Sequence, residues 1–568
     1  MGIVSEALEN MVTENKIVTA VEQNFPGPGF REYQKEAIVE CVKGVIKDDC
    51  DVVLLVAPTG SGKSLILNTV ALVCNIMFGD RAFCTTPLNS LVDQIDNDEL
   101  IDDAITIKGR NNYPCINDKD YGTAVDRAIC QRQPDFDCDI KGDCKYYGKK
   151  REAIDHYFSV TNMSYIMSEG LADVDNESMD NMFGKREIIE VDECQSVEDY
   201  AMNYISFTVS ENNVGEMVME NIDIPLGMED DFEHMVDWVS NEVKPALNEA
   251  LSKYDGYVTE GQVKEKERLS NFLARTDNFL KDAEEYDWVC EIKREVNKNG
   301  EDDIKVVFQP VTVGRFLEDL LWSRGSTVIL SSATIPGGDW IDEVGLSGSN
   351  VRHISVPSTF PVENRPIYIS HSEDIGKMTK GKREKNALPM IEKIIEIADH
   401  HGGERGFVHC RSYNIMKLLR RSALNNGHRE WFRENGMVQD RSDREESLER
   451  WLDSDKQVFF SVAMDEGIDL DGDECRWQVL AKTLYKSMSD KRVRYRVQER
   501  GEWDWYNSHA AVQIQQAYGR AVRSPTDEAV FYILDKSAKS LINMNAELFN
   551  KWFLEAIQDM EIDPSRGV

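Results

Sequence analysis

Short apolar runs alternate with stretches of helical periodicity along most of this chain. Residues 51–56 (DVVLLV) are almost continuously apolar and lead directly into the loop APTGSGKS. The next residues, SLILNTVALVCNIM, have helical spacing, and RAFCTTP is a second strand candidate. Because strand, loop, helix and strand in this order open a parallel sheet, the pattern predicts an α/β fold.

A second α/β series begins near Arg365, after the strand candidates REIIEVDE and TVILSSAT. It contains RGFVHCRS, KQVFFSVAMDEGIDL, CRWQVLAKTLY and AVFYILDKS, each beside a helical stretch. Within the first series, long gaps separate Lys63 from Asp192 and Asp192 from Ser331. A simple αβ unit needs only about 30 residues, so each gap is predicted to hold an additional module. The second gap contains residues 196–310, which are acidic and mostly helical in period.

The charge balance limits the partners of the chain. Its 568 residues carry 65 Lys and Arg against 102 Asp and Glu, a net charge of −37. This excess argues against general adhesion to nucleic acid or anionic membranes, so a polyanion would need a locally basic groove. It also raises the hypothesis of a salt-rich cytoplasm, where screening weakens self-repulsion. The acidic start and the short apolar runs predict a soluble, cytoplasmic protein that does not bind membranes.

The loop at residues 57–64 is the strongest chemical signal. Glycines let the backbone amides of such a loop point at a phosphate, and the following helix aims its N-terminus at the same anion. Lys63 can then reach the terminal phosphates, and the Ser64 hydroxyl can bind Mg²⁺. The predicted nucleotide-binding residues of this loop are Thr59, Gly60, Ser61, Gly62, Lys63 and Ser64.

Asp192 and Glu193 follow the strand candidate at residues 188–191. Ligands of open parallel sheets bind at the carboxyl ends of the strands, which is where this pair lies. Asp192 is therefore expected to hold Mg²⁺, and Glu193 to orient or deprotonate the attacking water.

The order of motifs resembles superfamily 2 helicases, and among them the iron–sulfur XPD/DinG-like family. The resemblance spans residues 30–540 and implies two RecA-like lobes that sandwich ATP. The matching segments are Arg31-x-x-Gln34, APTGSGKS at 57–64, TTPL at 85–88, DECQ at 192–195, SSAT at 331–334, FVHCRSY at 407–413, EGID at 466–469 and QAYGRAVR at 516–523. The chain departs from the family at Cys194 and Gln195, where the family has the Ala and His of DEAH.

This resemblance assigns further residues. Arg31 and Gln34 would read the adenine, and Gly467, Asp469 and Gln516 would contact the nucleotide from the second lobe. Arg520 and Arg523 would neutralise charge on the γ-phosphate. Gln195 can hydrogen-bond in both directions, so coupling to the SSAT segment is expected to survive the loss of the family's His.

Four cysteines, Cys115, Cys130, Cys138 and Cys144, form the pattern C-x14-C-x7-C-x5-C. By spacing alone this pattern fits zinc as well as an iron–sulfur cluster, because both are held by four thiolates. The flanking KGRNNYPC and CKYY resemble the family's entry to and exit from its cluster. The resemblance therefore implies a [4Fe–4S] cluster, with zinc as the alternative.

The resemblance also implies how the chain is divided. Residues 1–30 are a lead, and the first lobe comprises 31–107, 152–195 and 311–364. An iron–sulfur insertion occupies 108–151, a helical acidic arch-like insertion occupies 196–310, and the second lobe is 365–568.

The function implied by the resemblance is an ATP-dependent DNA helicase, 5′→3′ in polarity and monomeric, acting on single strands and duplex junctions. The alternative is a nucleic-acid-stimulated ATPase that acts as a clamp or displaces proteins without unwinding. Repair, replication and mobile-element or viral maintenance all remain open as pathways. Locally basic stretches, including Lys491 to Arg496 around Tyr495, are candidate contacts to the strand.

Overall fold

The computed structural model of this protein describes most of the chain. The described residues are 14–47, 50–132, 136–169, 184–254, 260–296, 302–370, 375–441, 443–462, 470, 472–520, 522 and 524–558. No helix among them is long and apolar enough to cross a membrane.

Strands form two parallel sheets and one small antiparallel sheet. The first sheet has the order β10-β1-β9-β5-β2-β4-β3, the second β13-β14-β12-β15-β16-β11-β17, and the small one β6-β8-β7. Their bounds are β1 Val52–Val56, β2 Ala82–Thr86, β3 Ile105–Thr106, β4 Phe158–Asn162, β5 Arg186–Asp192, β6 Phe207–Ser210, β7 Trp288–Val296, β8 Asp302–Pro310, β9 Gly325–Ser332, β10 Val351–Ser355, β11 Ile367–Ile369, β12 Gly406–His409, β13 Gly436–Val438, β14 Val458–Ser461, β15 Trp477–Leu480, β16 Val530–Ile533 and β17 Ile557–Gln558.

Helices cover both faces of the two parallel sheets. Their bounds are α1 Glu14–Asn24, α2 Gln34–Ile46, α3 Lys63–Phe78, α4 Asn89–Asp96, α5 Ile129–Arg132, α6 Lys145–Asp155, α7 Met163–Ser168, α8 Val197–Ile205, α9 Glu211–Val218, α10 Phe232–Trp238, α11 Lys244–Ser252, α12 Glu260–Glu285, α13 Gly314–Leu320, α14 Trp340–Glu343, α15 Arg383–His400, α16 Tyr413–Asn425, α17 Arg429–Asn435, α18 Arg444–Leu452, α19 Lys491–Arg494, α20 Trp503–Tyr518, α21 Lys536–Met544 and α22 Lys551–Leu554.

The first parallel sheet is buried on both faces. Leu54 of β1 and Val191 of β5 belong to one core cluster, whereas Val53 and Leu55 belong to the cluster on the opposite face. Burial on both faces explains why these strands read as continuous apolar runs rather than as alternating ones. The predicted α/β fold with two RecA-like parallel-sheet lobes is confirmed by these two sheets.

The N-terminal lead contains a helix, α1. Helix α1 buries Ile17 and Val21 in the same core cluster as α2 and α3. Helix α1 is therefore an outer helix of the first lobe.

The acidic segment 196–310 is not only helical. Helices α8 to α12 accompany the antiparallel sheet of β6, β8 and β7, which the helical periodicity did not predict. Phe207, Phe279 and Phe308 form its aromatic core, with ring centroids 4.7 Å apart for Phe207–Phe279 and 4.5 Å for Phe279–Phe308. The segment thus has a hydrophobic core of its own despite its charge.

Candidate functional site

A cavity of about 300 Å³ lies between the two lobes. Lys63 and Glu193 line it from the first lobe, and Gln516 and Arg520 from the second. The carboxyl ends of β1 and β5 lead into it, where an open parallel sheet is expected to bind its ligand. Lys63 and Arg520, which the sequence analysis placed on opposite sides of one ligand, therefore face a common cavity.

The loop after β1 has the conformation that binds phosphate. Gly60 and Gly62 have φ of 82° and 78°, a region that favours glycine, and Gly62 is the N-cap of α3. A Cβ at Gly62 would lie 2.5 Å from Gln34 Nε2, so a larger residue here would also displace the Gln34 side chain. Thr59 and Ser64 line the cavity with Lys63, whereas Ser61 is buried with its Oγ unbonded to any described residue.

Arg31 and Gln34 contact the loop backbone. Arg31 Nη1 donates to the Gly60 carbonyl at 2.5 Å, and Gln34 Nε2 lies 3.5 Å from the Gly62 carbonyl oxygen. Gln34 Oε1 accepts from the Arg31 amide at 3.0 Å, which fixes the two side chains relative to each other. These residues brace the loop, and Arg31 in addition lines the cavity.

Asp192 and Glu193 occupy different electrostatic environments. Burial raises the pKa of Asp192 to about 6, although the Lys63 ammonium acts in the opposite direction. Burial also acts to raise the pKa of Glu193, but Lys63 outweighs it with help from Arg520, so that pKa lies below its ordinary value. Lys63 Nζ donates to Glu193 Oε1 at 2.9 Å. Glu193 has a φ of 49°, a strained left-handed backbone of the kind found at functional sites.

A chain of hydrogen bonds crosses from Glu193 to the second lobe. Gln195 Nε2 donates to Glu193 Oε2 at 3.0 Å, and Gln195 Oε1 accepts from Ser332 Oγ at 2.5 Å. Gln516 Nε2 donates to Thr334 Oγ1 at 2.7 Å.

Gln516 continues this connection within the second lobe. Arg520 Nη2 donates to Gln516 Oε1 at 3.2 Å. Gln195 thus donates one hydrogen bond and accepts another, as expected. Gln516 accepts from Arg520 while it donates to the SSAT segment.

Three residues of the predicted site, Gly467, Asp469 and Arg523, lie outside the described residues.

Sequence reasoning missed cavity residues from two other parts of the chain. Trp552 of α22 and Gln515 of α20 line the cavity. Phe360, between the lobes, covers Gly60 so closely that a Cβ there would lie 2.2 Å from the ring. The only signal in the sequence was the position of Gln515 beside the QAYGRAVR motif; nothing marked Trp552 or Phe360.

The four cysteines converge around a second, small cavity. Cys115, Cys130, Cys138 and Cys144 all line it, and burial together with the other three cysteines raises the pKa of the Cys130 thiol. Amide groups point at three of the sulfurs: the Asn117 amide at Cys115 (3.4 Å), Asn117 Nδ2 at Cys138 (3.8 Å) and Gln131 Nε2 at Cys130 (3.7 Å). In the described part of the chain, no three Cys, His, Asp or Glu side chains are grouped as ligands of one metal ion.

The basic stretch Lys491 to Arg496 is not a free surface. Arg492 and Arg496 are 4% and 0% exposed, and both pair with Glu198 of α8. Lys491 pairs with Asp230 at 2.7 Å. The interpretation of this stretch as a strand-binding patch is therefore wrong for Arg492 and Arg496, because both are buried and paired with Glu198.

Comparison with known proteins agrees with this geometry. Residues 394–556 match a family model described as a helicase C-terminal domain. The structure of Xpd4 from S. tokodaii is similar with a TM-score of 0.56 and 17% identity, covering 93% of this chain and 99% of that one. A structure described as an XPD helicase gives 0.59 and 16% identity, covering 92% and 99%.

A third structure, described as apo XPD, gives a TM-score of 0.53 and 15% identity, with coverage of 91% and 98%. The search of curated protein sequences finds no match. The similarity of fold therefore extends over nearly the whole chain at low sequence identity, and the sequence match is confined to the second lobe.

Proposed function

We propose that this chain, which has the fold of the superfamily 2 XPD helicases, is an ATP-dependent DNA helicase that moves 5′→3′ along single strands and opens duplexes at junctions. The observation that carries the proposal is the cavity between the lobes. It joins a phosphate-binding loop, an acidic pair and a second-lobe arginine, Arg520. Transfer of a phosphoryl group to water needs these parts in one place, because catalysis depends on positioning and on neutralising charge.

The first-lobe residues have separate roles in binding the phosphates of ATP and in orienting the attacking water. The amides of residues 60–64 hold the phosphates, with Lys63 on the terminal ones. Lys63 contacts Glu193 at 2.9 Å in this structure. Phosphate oxygens would compete for the ammonium and release the Glu193 carboxylate to orient the attacking water. The lowered pKa keeps the Glu193 carboxylate ionised, which is the form that can accept a hydrogen bond from that water and orient it.

Ser64 and Asp192 fit a magnesium site. Asp192 Oδ1 is buried and accepts no hydrogen bond from the described residues, and Ser64 lines the same cavity. Oxygen ligands of this kind, used together with phosphates and water, are those that Mg²⁺ prefers. Bound there, Mg²⁺ would neutralise charge on the phosphates.

The second lobe would complete the site on closure. Arg520 would stabilise the charge that develops on the γ-phosphate, and Gln516 would hold that arginine in place. We assign to Arg523 the same electrostatic role, and to Gly467 and Asp469 contacts with the nucleotide, by their motif positions.

We propose a [4Fe–4S] cluster on Cys115, Cys130, Cys138 and Cys144. The cavity shared by the four thiols and the amide donors aimed at their sulfurs support it. Such donors stabilise thiolates and tune a cluster's potential. Protein purified without oxygen is expected to carry iron and absorb blue light, whereas colourless protein with stoichiometric zinc would establish the alternative.

The modules at 108–151 and 196–310 would guide the strand. Both interrupt the first lobe, on either side of β4 and β5 in the chain, and each packs against that lobe. We propose that they enclose one strand while the lobes of a monomer draw it through, so that the duplex separates at the entrance.

A strand-displacement assay tests the function. Duplexes with a 5′ or a 3′ single-stranded tail, in DNA and in RNA, are incubated with ATP and Mg²⁺ across a salt series. We expect unwinding of the 5′-tailed DNA only. Lys63→Ala and Glu193→Gln should abolish both ATP hydrolysis and unwinding, whereas Lys47→Ala, at an exposed site away from the cavity, should leave both unchanged.

Each alternative has its own outcome. ATP hydrolysis stimulated by single strands without strand separation would replace the helicase by a clamp or remodeller. Hydrolysis retained in Lys63→Ala or Glu193→Gln would refute the cleft as the catalytic site.

A further inference from the structure

Three consecutive residues between the lobes, Ser332, Ala333 and Thr334, are each held by a different side chain. Ser332 bonds to Gln195 of the first lobe, and Thr334 accepts from Gln516 of the second. The carbonyl of Ala333 accepts a hydrogen bond from Asn550 Nδ2 at 3.0 Å. Asn550 lies near the end of the described chain, 217 positions from Ala333.

Asn550 is fixed to the second lobe by its neighbours. Its backbone amide donates to Gln515 Oε1 at 2.8 Å, and Gln515 Nε2 donates to the Leu548 carbonyl at 3.3 Å. Trp552 stacks on Tyr518, with ring centroids 5.7 Å apart and planes 12° from parallel. The segment around Asn550 and helix α20 therefore form one unit, from which Asn550 and Gln516 reach adjacent residues of the first lobe.

We propose that Asn550 is a positioning residue for ATP hydrolysis. Its hydrogen bond fixes Ala333 relative to the second lobe. The neighbouring Ser332 bonds to Gln195, which in turn bonds to Glu193, so these contacts fix the position of Glu193. Asn550 is not among the described residues that line the cavity, so it acts through these contacts rather than on the nucleotide. The inference rests on the proposed function, because it requires ATP hydrolysis in this cleft.

Asn550→Ala removes the donor to Ala333. We expect the rate constant kcat for nucleic-acid-stimulated hydrolysis to fall about three- to tenfold, the range for one lost hydrogen bond. The KM for ATP should change less than about twofold, because the Asn550 side chain itself does not line the cavity. The melting temperature should stay within a few degrees of the wild type.

A second variant separates this role from helix capping. Asn550 occupies the N-cap position of α22 but makes no capping bond with its side chain. Asp caps helices as well as Asn does, yet an ionised Asp has no N–H to donate. Asn550→Asp must therefore lower kcat as Asn550→Ala does. Asn543→Ala, at an exposed position of α21, is the matched control and should hydrolyse ATP normally.

Hydrogen exchange of residues 331–336 gives a readout that does not need activity. Exchange there should accelerate in both Asn550 variants and not in Asn543→Ala. Wild-type kcat in either Asn550 variant, or unchanged exchange of this segment, would overturn the inference. If the wild type itself does not hydrolyse ATP, the proposed function fails, and the exchange measurement still decides whether Asn550 holds Ala333.

Discussion

The buried carboxylate Glu198 of α8 contacts second-lobe residues of α19 and of α20, the helix that carries Gln516. Glu198 is 2% exposed; it pairs with Arg492, lies 3.4 Å from Arg496 Nη1 and 2.9 Å from His509 Nε2, and accepts from Trp505 Nε1 at 3.3 Å. Burial acts to raise the pKa of Glu198, but Arg492 and His509 outweigh it and hold that pKa well below its ordinary value. The carboxylate is therefore charged at neutral pH.

Replacing Glu198 by Gln leaves two buried guanidinium groups with less compensation. Arg496 keeps ion pairs with Glu343, at 2.6 Å, and Glu502, whereas Arg492 keeps, among the described residues, a hydrogen bond to the Val311 carbonyl. Breaking a buried pair by removing one partner costs about 3–5 kcal/mol. Because Arg496 retains two carboxylates, we expect a loss near the lower end, about 3 kcal/mol in the free energy of unfolding.

A double-mutant cycle measures this coupling by urea denaturation followed by circular dichroism. Arg492→Met removes the uncompensated charge, so Glu198→Gln with Arg492→Met should be about 2 kcal/mol more stable than the sum of the single effects. Asp230→Asn, which removes an exposed partner of Lys491, is the control and should not change the midpoint measurably.

The sign of the pH dependence follows from the pKa of Glu198. Because the pKa of Glu198 is lower in the folded protein than the unfolded value of 4.5, Glu198 contributes its full stabilisation at pH values above 4.5. This stabilisation is lost as the pH falls through the folded pKa. Glu198 should therefore stay ionised at both about pH 6 and about pH 8, and its coupling to Arg492 should persist at both pH values. A coupling free energy below about 0.5 kcal/mol would refute the network as a link between the lobes, because residues in direct contact in one ion-pair network are coupled by more than this.

Three further variants test the cleft and the cysteine site. Gln195→Ala should lower kcat in a steady-state ATPase assay about tenfold, because it removes the hydrogen bonds to both Glu193 and Ser332. Gln195→His can still donate and accept hydrogen bonds and should retain most activity. Equal activity of wild type and Gln195→Ala would contradict the coupling. Gly60→Ala should weaken ATP binding about tenfold in a fluorescent-nucleotide titration, because alanine is unfavourable at a φ of 82° and its Cβ would clash with the Phe360 ring. Adding Phe360→Ala should relieve the clash but not the backbone strain. Unaltered affinity in Gly60→Ala would count against this close packing. Cys138→Ser should lose the expected iron, about four atoms per chain, together with the absorption of blue light. Cys290→Ser in β7 is the control and should keep both. Full iron content in Cys138→Ser would exclude Cys138 as a ligand.

Local sequence determined the parts of the site that a few neighbouring residues can build. The phosphate loop needs only a strand, two glycines at positive φ and a helix, all within residues 52–78. The places of Asp192 and Glu193 at the end of β5 follow from one apolar strand. Gln516 lies in the last turn of α20, and Arg520 follows two residues after that helix ends at Tyr518, so the two are close in the chain as well as in space.

The tertiary structure alone decided what the remaining side chains touch. The charges of residues 491–496 suggested a contact to the nucleic-acid strand, yet Arg492 pairs with Glu198, which lies 294 positions away in the chain. Nothing near Asn550 in the sequence points to Ala333, and Phe360 belongs to no motif. Periodicity and spacing report only the neighbours along a strand or helix, whereas the state of a buried charge or amide depends on partners that arrive when separate lobes pack together.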